Sequence, residues 1–344
     1  MVAKKETFSM NVPAAGEGQR VDKWLVEHLP QLVTRSQLQK WIDDHRVAIN
    51  GKICKANQKL DKDDVVTVAS PPIEQTTRVL RAISMPLEIL FEDEQVLVID
   101  KPAGIAVHPG AGDPEPTLVE GLLAYRKDWQ QSLQDQEGFR PGVVHRLDKD
   151  TTGVMVFAKT PVAYQDLTQQ FREKTNARQY IAILDGLLPH SPLTYESYLY
   201  RDPNHRLRFA SISAEEIKKQ FAQEIPSAYR WAKSLFQVQG VFAHHFTLAE
   251  VTLHTGRTHQ IRVHSQALHA PVLGDPLYAH KRIYPKTLGT EVLSAFSQIR
   301  RQLLHAQTLG FMHPISKEVM SFVAKVPADF QKILTLLDRY RIEA

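Results

Sequence analysis

Cysteine is almost absent: Cys54 is the single one in 344 residues. One thiol makes no internal disulfide and no cysteine-based zinc site. No apolar run approaches the roughly 18 residues of a membrane-spanning helix, which excludes a chain that crosses a bilayer by helices. The opening MVAKKETFSMNVPAAGEGQR carries charge but no apolar stretch, so no secretory signal is expected there. The phosphate-binding pattern GxxxxGK, the dinucleotide pattern GxGxxG, the hydrolase elbow GxSxG and the zinc-protease pattern HExxH are all missing. His145-Arg146-Leu147-Asp148 has the look of a kinase catalytic loop, but no glycine-rich loop and no Asp-Phe-Gly accompany it. With 43% hydrophobic and 23% charged residues, the chain has an ordinary globular composition. At roughly 150 residues per domain its length suggests two domains, and the cytoplasm is the expected compartment.

What is present starts with a basic segment. Lys and Arg total 42 against 38 Asp and Glu, a net charge of +4. Residues 20–60 hold Arg20, Lys23, Arg35, Lys40, Arg46, Lys52, Lys55 and Lys59 against Asp22, Glu27, Asp43 and Asp44, an excess equal to that of the whole chain. Such a module suits a polyanionic partner, although on charge alone a solvated face is the commoner reading.

Residues 18–69 read as one small domain. Val21, Trp24, Leu25 and Leu29 recur at helical spacing. Thr34-Arg35-Ser36-Gln37 fits a capping box ahead of Leu38, Trp41 and Ile42. Val47-Ala48-Ile49 and Lys52-Ile53-Cys54 flank Asn50-Gly51, the strongest short hairpin signal, and Val65 to Val68 adds a strand. Cys54 is expected to be buried. Residues 70–86, with prolines at both ends and no period, read as a linker. A larger domain over 87–335 opens with a hairpin of Leu87–Phe91 and Gln95–Asp100. Further strand-like stretches are 142–144, 154–157, 179–184 and 246–253, and Val162 to Lys174 has a helical pattern. Mixed elements without strict β-α alternation predict an α+β fold rather than a doubly wound one.

The most informative stretch is PGVVHRLDKDTTGVMVFAK, Pro141 to Lys159. Its core, His145-Arg146-Leu147-Asp148-Lys149-Asp150-Thr151-Thr152-Gly153, resembles the HRLDxxTSG signature of the RluA family of RNA pseudouridine synthases, with Thr152 where Ser is usual. Asp100 to Pro109 resembles that family's KPxGxxVHP block. Arg178-Gln179-Tyr180-Ile181-Ala182 resembles the block that supplies the active-site tyrosine. Thr255 to His264 resembles TGRTHQIRVH. Gly274-Asp275-Pro276-Leu277-Tyr278, Leu304-His305-Ala306 and Phe311-Met312-His313-Pro314 follow in the family's order. The 18–69 domain is similar to the S-four-type RNA-binding domain that often precedes this catalytic domain. Two departures stand out. Residues 199–231 carry an extra polar, helical piece (ISAEEIKKQFAQ) where a shorter loop is expected, and Ala279 takes the place of a usual glycine.

The resemblance implies an enzyme that breaks a uridine's N-glycosidic bond, turns the base and rejoins it through carbon. The catalytic domain should be built on a mixed, largely antiparallel sheet with a central cleft. Neither metal nor cofactor is implied. A carboxylate serves as nucleophile, and the resemblance assigns that role to Asp148. Taken alone, Asp148 beside Thr151 would more often be a turn cap. Arg262 is expected to pair with Asp148. Tyr180 is expected to stack on the base or assist proton removal at C5. Arg146 would fill the gap left by a flipped uridine, and Arg257 and His145 are grouped with it as substrate contacts. Arg20, Lys23, Arg35, Lys40, Arg46 and Lys52 would meet RNA phosphates. The architecture resembles members acting on large-subunit ribosomal RNA, with transfer RNA as the second candidate, and a monomer is expected.

The same residues admit two other readings. A non-catalytic RNA-binding or ribosome-assembly protein needs no nucleophile, so the Asp148, Tyr180 and Arg262 set counts against it. A glycosidase would pair Asp148 with Asp150, needing carboxyls about 5 to 9 Å apart. Asp150 is instead expected at the surface or in a turn. His254, His259 and His264 are spaced by five, which fits neither a helix face nor a strand face, so they predict polar-network or RNA contacts rather than a metal site.

Overall fold

The computed structural model describes residues 7–28, 35–69, 80–109, 115–126, 142–205, 207–221, 225–279 and 283–342. Leu29, Thr34, most of the 70–86 linker and the side chains of Arg35 and Lys40 lie outside the described residues. The chain divides into two compact units, Met1–Val79 and Leu80–Ala344.

The first unit packs two helices, Val21–His28 and Arg35–Asp43, on a four-stranded sheet of β1 (Thr7–Asn11), β2 (Val47–Ile49), β3 (Lys52–Ile53) and β4 (Val65–Ala69) in the order β1-β4-β2-β3. Asn50 and Gly51 both take positive φ, 50° and 76°, as a two-residue hairpin turn of this kind demands. Trp24, Leu25, Leu38 and Ile42 from the helices meet Val47, Val66 and Val68 from the sheet, each fully buried side chain contributing about 1.5–3 kcal/mol. Cys54 is buried just after β3, its thiol donating to the Val47 carbonyl. The sheet begins earlier than residue 18: β1 pairs antiparallel with β4. Lys23 and Lys52 are exposed, while Arg46 lies 3.9 Å from Asp44 and Arg20 donates twice to Asp22 at 3.0 and 2.9 Å. Part of Arg20's donor capacity is therefore spent inside the module.

The second unit is built on eleven strands: β5 (Glu88–Glu92), β6 (Val96–Lys101), β7 (Thr152–Ala158), β8 (Ala177–Asp185), β9 (Leu193–Arg201), β10 (Phe209–Ile212), β11 (Arg230–Phe242), β12 (Phe246–Leu253), β13 (Leu304–Met312), β14 (Val319–Val323) and β15 (Arg341–Ile342). The order is β10-β9-β11-β12-β8-β13-β7-β6-β5, with β14 on β13 and β15 on β11. All pairs are antiparallel except β13 with β7. This is the mixed, largely antiparallel α+β architecture that the sequence predicts.

Both faces of β6 and β7 are covered, which is why they read as unbroken apolar runs. Leu97, Ile99, Met155 and Phe157 pack toward the helix Leu118–Tyr125. Val96, Val98, Val154 and Val156 pack on Ala163 and Leu167 of the helix Pro161–Glu173. Thr160 caps that helix, accepting from the Ala163 N–H, and Lys174 ends it at φ 62°. Residues 142–144 are not a strand. Gly142 turns at φ 59° and only Val143 bridges to Phe157, so the segment crosses β7 once and leaves as a loop. The extra piece within 199–231 contains β10 and a helix, Ala214–Gln220, capped by Ser213 and Glu216.

Candidate active site

The loop ahead of β7, the start of β8, and the turn from β12 into the helix Gln260–Ala267 converge on one cleft of about 380 Å³. Asp148 is the one carboxylate among the described residues lining it, against Arg146, Arg172, Lys174, Arg178, Arg257 and Arg262. A cleft with that balance suits a polyanion. Asp150 does not line it; its carbonyl accepts from Arg301 Nη1 at 3.2 Å. Asp150 therefore adds no second carboxylate to the lining of this cleft.

Arg262 reaches Asp148 from the helix. Its Nη1 donates to Asp148 Oδ2 at 2.9 Å, while Nε and Nη2 donate in parallel to Asp275 Oδ2 and Oδ1 at 2.6 and 2.9 Å. The Arg262 and Asp275 side chains are 5% and 0% exposed, and Asp148 is 18% exposed. Burial alone would pull the guanidinium pKa down, but Asp275 and Asp148 outweigh it and hold it above its usual value. The planar fork is thus fixed on one side by Asp275 and aims its remaining donor at Asp148. Asp275 Oδ1 is itself held by the N–H groups of Leu277 and Tyr278.

The helix start is locked from below. The Gln260 amide donates to the Lys233 carbonyl and Ser234 Oγ, both at 2.9 Å, and its oxygen accepts from Thr255 Oγ1 at 2.6 Å and the Arg257 N–H at 3.1 Å. His259 precedes the helix at φ 58°. The Tyr278 hydroxyl accepts from the Phe209 N–H at 2.8 Å, so its own proton is free for His259 Nδ1, also at 2.8 Å. The other ring nitrogen, Nε2, faces Asp148 Oδ2 at 3.9 Å. Burial lowers the His259 pKa, with Asp148 opposing. Phe209 belongs to the 199–231 piece, so that piece touches the site's supporting shell.

The Asp148 loop is anchored by Lys101. Its fully buried Nζ donates to the carbonyls of Pro102, Ile105 and Lys149 at 2.7, 2.9 and 2.9 Å, and burial pushes its pKa down to about 8. His145 lines the cleft but is used internally. Its Nε2 accepts the Val156 N–H at 3.1 Å, its ring stacks on Phe171 at 4.5 Å, and burial pushes its pKa down to about 3. Tyr180 lines the cleft from β8, and burial raises its pKa, so the phenol keeps its proton at neutral pH. Arg146 and Arg257 are exposed on the lining, with Arg257 Nε donating to the Trp231 carbonyl at 3.2 Å.

The three histidines spaced by five go separate ways. His254 is exposed, His259 faces Asp148, and His264 is buried between Ser197 and Ser234 at 3.1 and 2.9 Å. Two supporting residues escaped the sequence reading. Asp275 lies in Gly274–Tyr278 and Lys101 in Asp100–Pro109, and a charged residue beside apolar neighbours was the available signal.

Comparison with known proteins follows the same lines. A family described as RNA pseudouridylate synthase matches residues 95–267, and one described as S4 domain, the S-four type, matches residues 19–66. The chain belongs to the RNA pseudouridine synthase family, in its RluA branch, and is an RNA-modifying isomerase. An RNA pseudouridine synthase of Synechocystis, described as uncharacterized, is 39% identical over 94% of this chain and 90% of its own. The Ribosomal large subunit pseudouridine synthase D of Xanthomonas campestris is 38% identical over 95% and 91%, and that of Escherichia coli 35% over 98% and 96%. Among solved structures, Human RNA Pseudouridylate Synthase Domain Containing 4 covers 73% of this chain and 93% of its own at 25% identity, with a TM-score of 0.54.

Proposed function

We propose that the chain isomerises uridines of large-subunit ribosomal RNA, with Asp148 as the nucleophile. The observation that carries the residue assignment is the Asp148–Arg262–Asp275 chain at the floor of a cationic cleft. A carboxylate acts here either by attack at the ribose carbon or by a proton abstraction that yields a glycal. Both courses need Asp148 ionised and aimed. Arg262 supplies the aim, and it also leaves Asp148 less free to rotate once the base has departed.

Tyr180 forms one wall against which the uracil stacks, worth about 1–3 kcal/mol for an aromatic on a base. Arg146, exposed at the mouth, occupies the gap that the flipped uridine leaves; flipping costs a few kcal/mol. Arg257 meets a phosphate, and His145 positions the loop rather than touching the substrate. Lys23, Arg35, Lys40, Arg46, Lys52 and the free part of Arg20 hold the RNA backbone. The relatives named for the large ribosomal subunit support that RNA over transfer RNA. The reaction belongs in the cytoplasm.

The test is tritium release from C5-labelled uridine in two unmodified RNAs. Release from large-subunit ribosomal RNA and none from transfer RNA is expected. Release from transfer RNA alone would overturn the substrate assignment.

A further inference from the structure

Among the described residues, Arg178 is a buried cation with no carboxylate paired to it. It precedes Tyr180 by two residues on β8, and residues two apart on a strand share a face. Both line the cleft. Arg178 is 8% exposed, its Nε is buried without a hydrogen-bond partner, and among the described residues no carboxylate pairs with it. The other deeply buried arginines differ: Arg262 grips Asp275 and Arg301 grips Asp329, each at 2.6 Å. Around Arg178 stand the Phe171 ring, 5.7 Å from the guanidinium carbon, and His145, whose pKa is lowered first by burial and then by Arg178 itself. Space for the guanidinium is made by Gly256, where a Cβ would come within 2.6 Å of Nη1.

A charge under nine-tenths cover and without a partner works against folding. An arginine at this depth is accounted for if its partner arrives with the substrate. We propose that Arg178 binds a phosphodiester of the RNA strand that carries the target uridine, inside the cleft that Asp148 and Tyr180 line. The inference rests on that cleft being the place where the uridine reacts. An anion offsets the buried charge, and two phosphate oxygens match the guanidinium fork; a uracil carbonyl is neutral and leaves the charge uncompensated. Arg146, Arg172, Lys174 and Arg257 are exposed and screened by solvent ions, whereas Arg178 acts where screening is weak.

The experiment uses a synthetic RNA hairpin carrying the modified uridine, once carbodiimide mapping has located it. Each phosphate flanking the uridine is replaced in turn by an uncharged methylphosphonate. Affinity and kcat/KM are measured for wild type, Arg178→Met and Arg178→Lys. Wild type should lose about tenfold or more in affinity at one linkage, as befits a charge-assisted contact. Arg178→Met should bind the unmodified hairpin more weakly by a similar factor and be indifferent to that linkage. Arg178→Lys should recover part of the loss. The thermal midpoint of Arg178→Met should equal or exceed that of wild type, which a merely structural arginine would not allow.

The proposal is overturned if wild type tolerates both neutral linkages, if Arg178→Met stays sensitive to the same linkage, or if both variants unfold. Asp148→Asn in the same assay should bind without turnover. Turnover by that variant would sink the nucleophile assignment and leave the linkage comparison standing.

Discussion

Asp275→Asn keeps the shape of the side chain and removes the charge that fixes Arg262. The two donors from Arg262 meet Asp275 at 2.6 and 2.9 Å, with 5% and 0% of the side chains exposed. An asparagine there turns an NH2 group toward a guanidinium N–H, so one of the two bonds becomes a donor facing a donor. Removing one partner of a buried pair costs about 3–5 kcal/mol. At about 2–4 °C per kcal/mol for a domain near this size, the thermal midpoint should fall by roughly 6–20 °C. Arg262 can then swing, and a misplacement of about 1 Å in a catalytic constellation costs about 100-fold in rate. Calorimetry and tritium release on the same preparation read the two effects. Arg262→Met combined with Asp275→Leu separates them: an apolar pair should restore most of the stability and none of the turnover. The reasoning is refuted if Asp275→Asn unfolds within about 0.5 kcal/mol of wild type, the range of neutral surface changes, with kcat unchanged.

Three further outcomes are expected. Burial pushes His264 down to about 4 and His145 to about 3 against an ordinary 6.5. The unfolded chain binds protons that the native chain refuses between those values, so stability is complete above about pH 6.5 and falls as pH drops through that window. Urea midpoints against pH should flatten in His264→Gln, and an unchanged slope counts against the assignment. Gly153 sits at φ 121°, and a Cβ there would lie 2.1 Å from the Ala306 carbonyl oxygen where β7 and β13 run parallel. Gly153→Ala should therefore cost at least about 2 kcal/mol in urea unfolding; a neutral result would mean that the two strands part easily. Asp150→Asn should leave pseudouridine formation near the wild-type rate, because its carboxylate is outside the cleft; loss of turnover would revive a two-carboxylate mechanism.

The local elements were the most legible. Asn50-Gly51 marked its hairpin because only a few residue types tolerate two successive positive φ angles. The Pro161–Glu173 helix was visible from the helical pattern of Val162 to Lys174; its Thr160 cap was not read. Gly142-Val143-Val144 misled, since a β-prone composition says nothing of a backbone that turns at Gly142 and leaves the sheet after one bridge. β1 was missed because its partner lies more than fifty residues away, and its residues are only exposed or half-buried, so no apolar face marks it. In the cleft, the Asp148–Arg262 contact was expected from the resemblance. Asp275 was not, because its work is to grip another side chain, and that relation exists only once the helix Gln260–Ala267 and the turn at 274–278 are folded together. Arg178 was hidden for a similar reason: a cation on a strand is ordinary until its burial, and the lack of a paired carboxylate among the described residues, are known.

The central claim is that Asp148, aimed by Arg262, starts the reaction. Its most direct test is tritium release from C5 of uridine in unmodified large-subunit ribosomal RNA, comparing wild type with Asp148→Asn at equal RNA occupancy. Wild type should release tritium, and the variant should release none while binding RNA and unfolding at a similar temperature. Equal release by both would show that another group is the nucleophile.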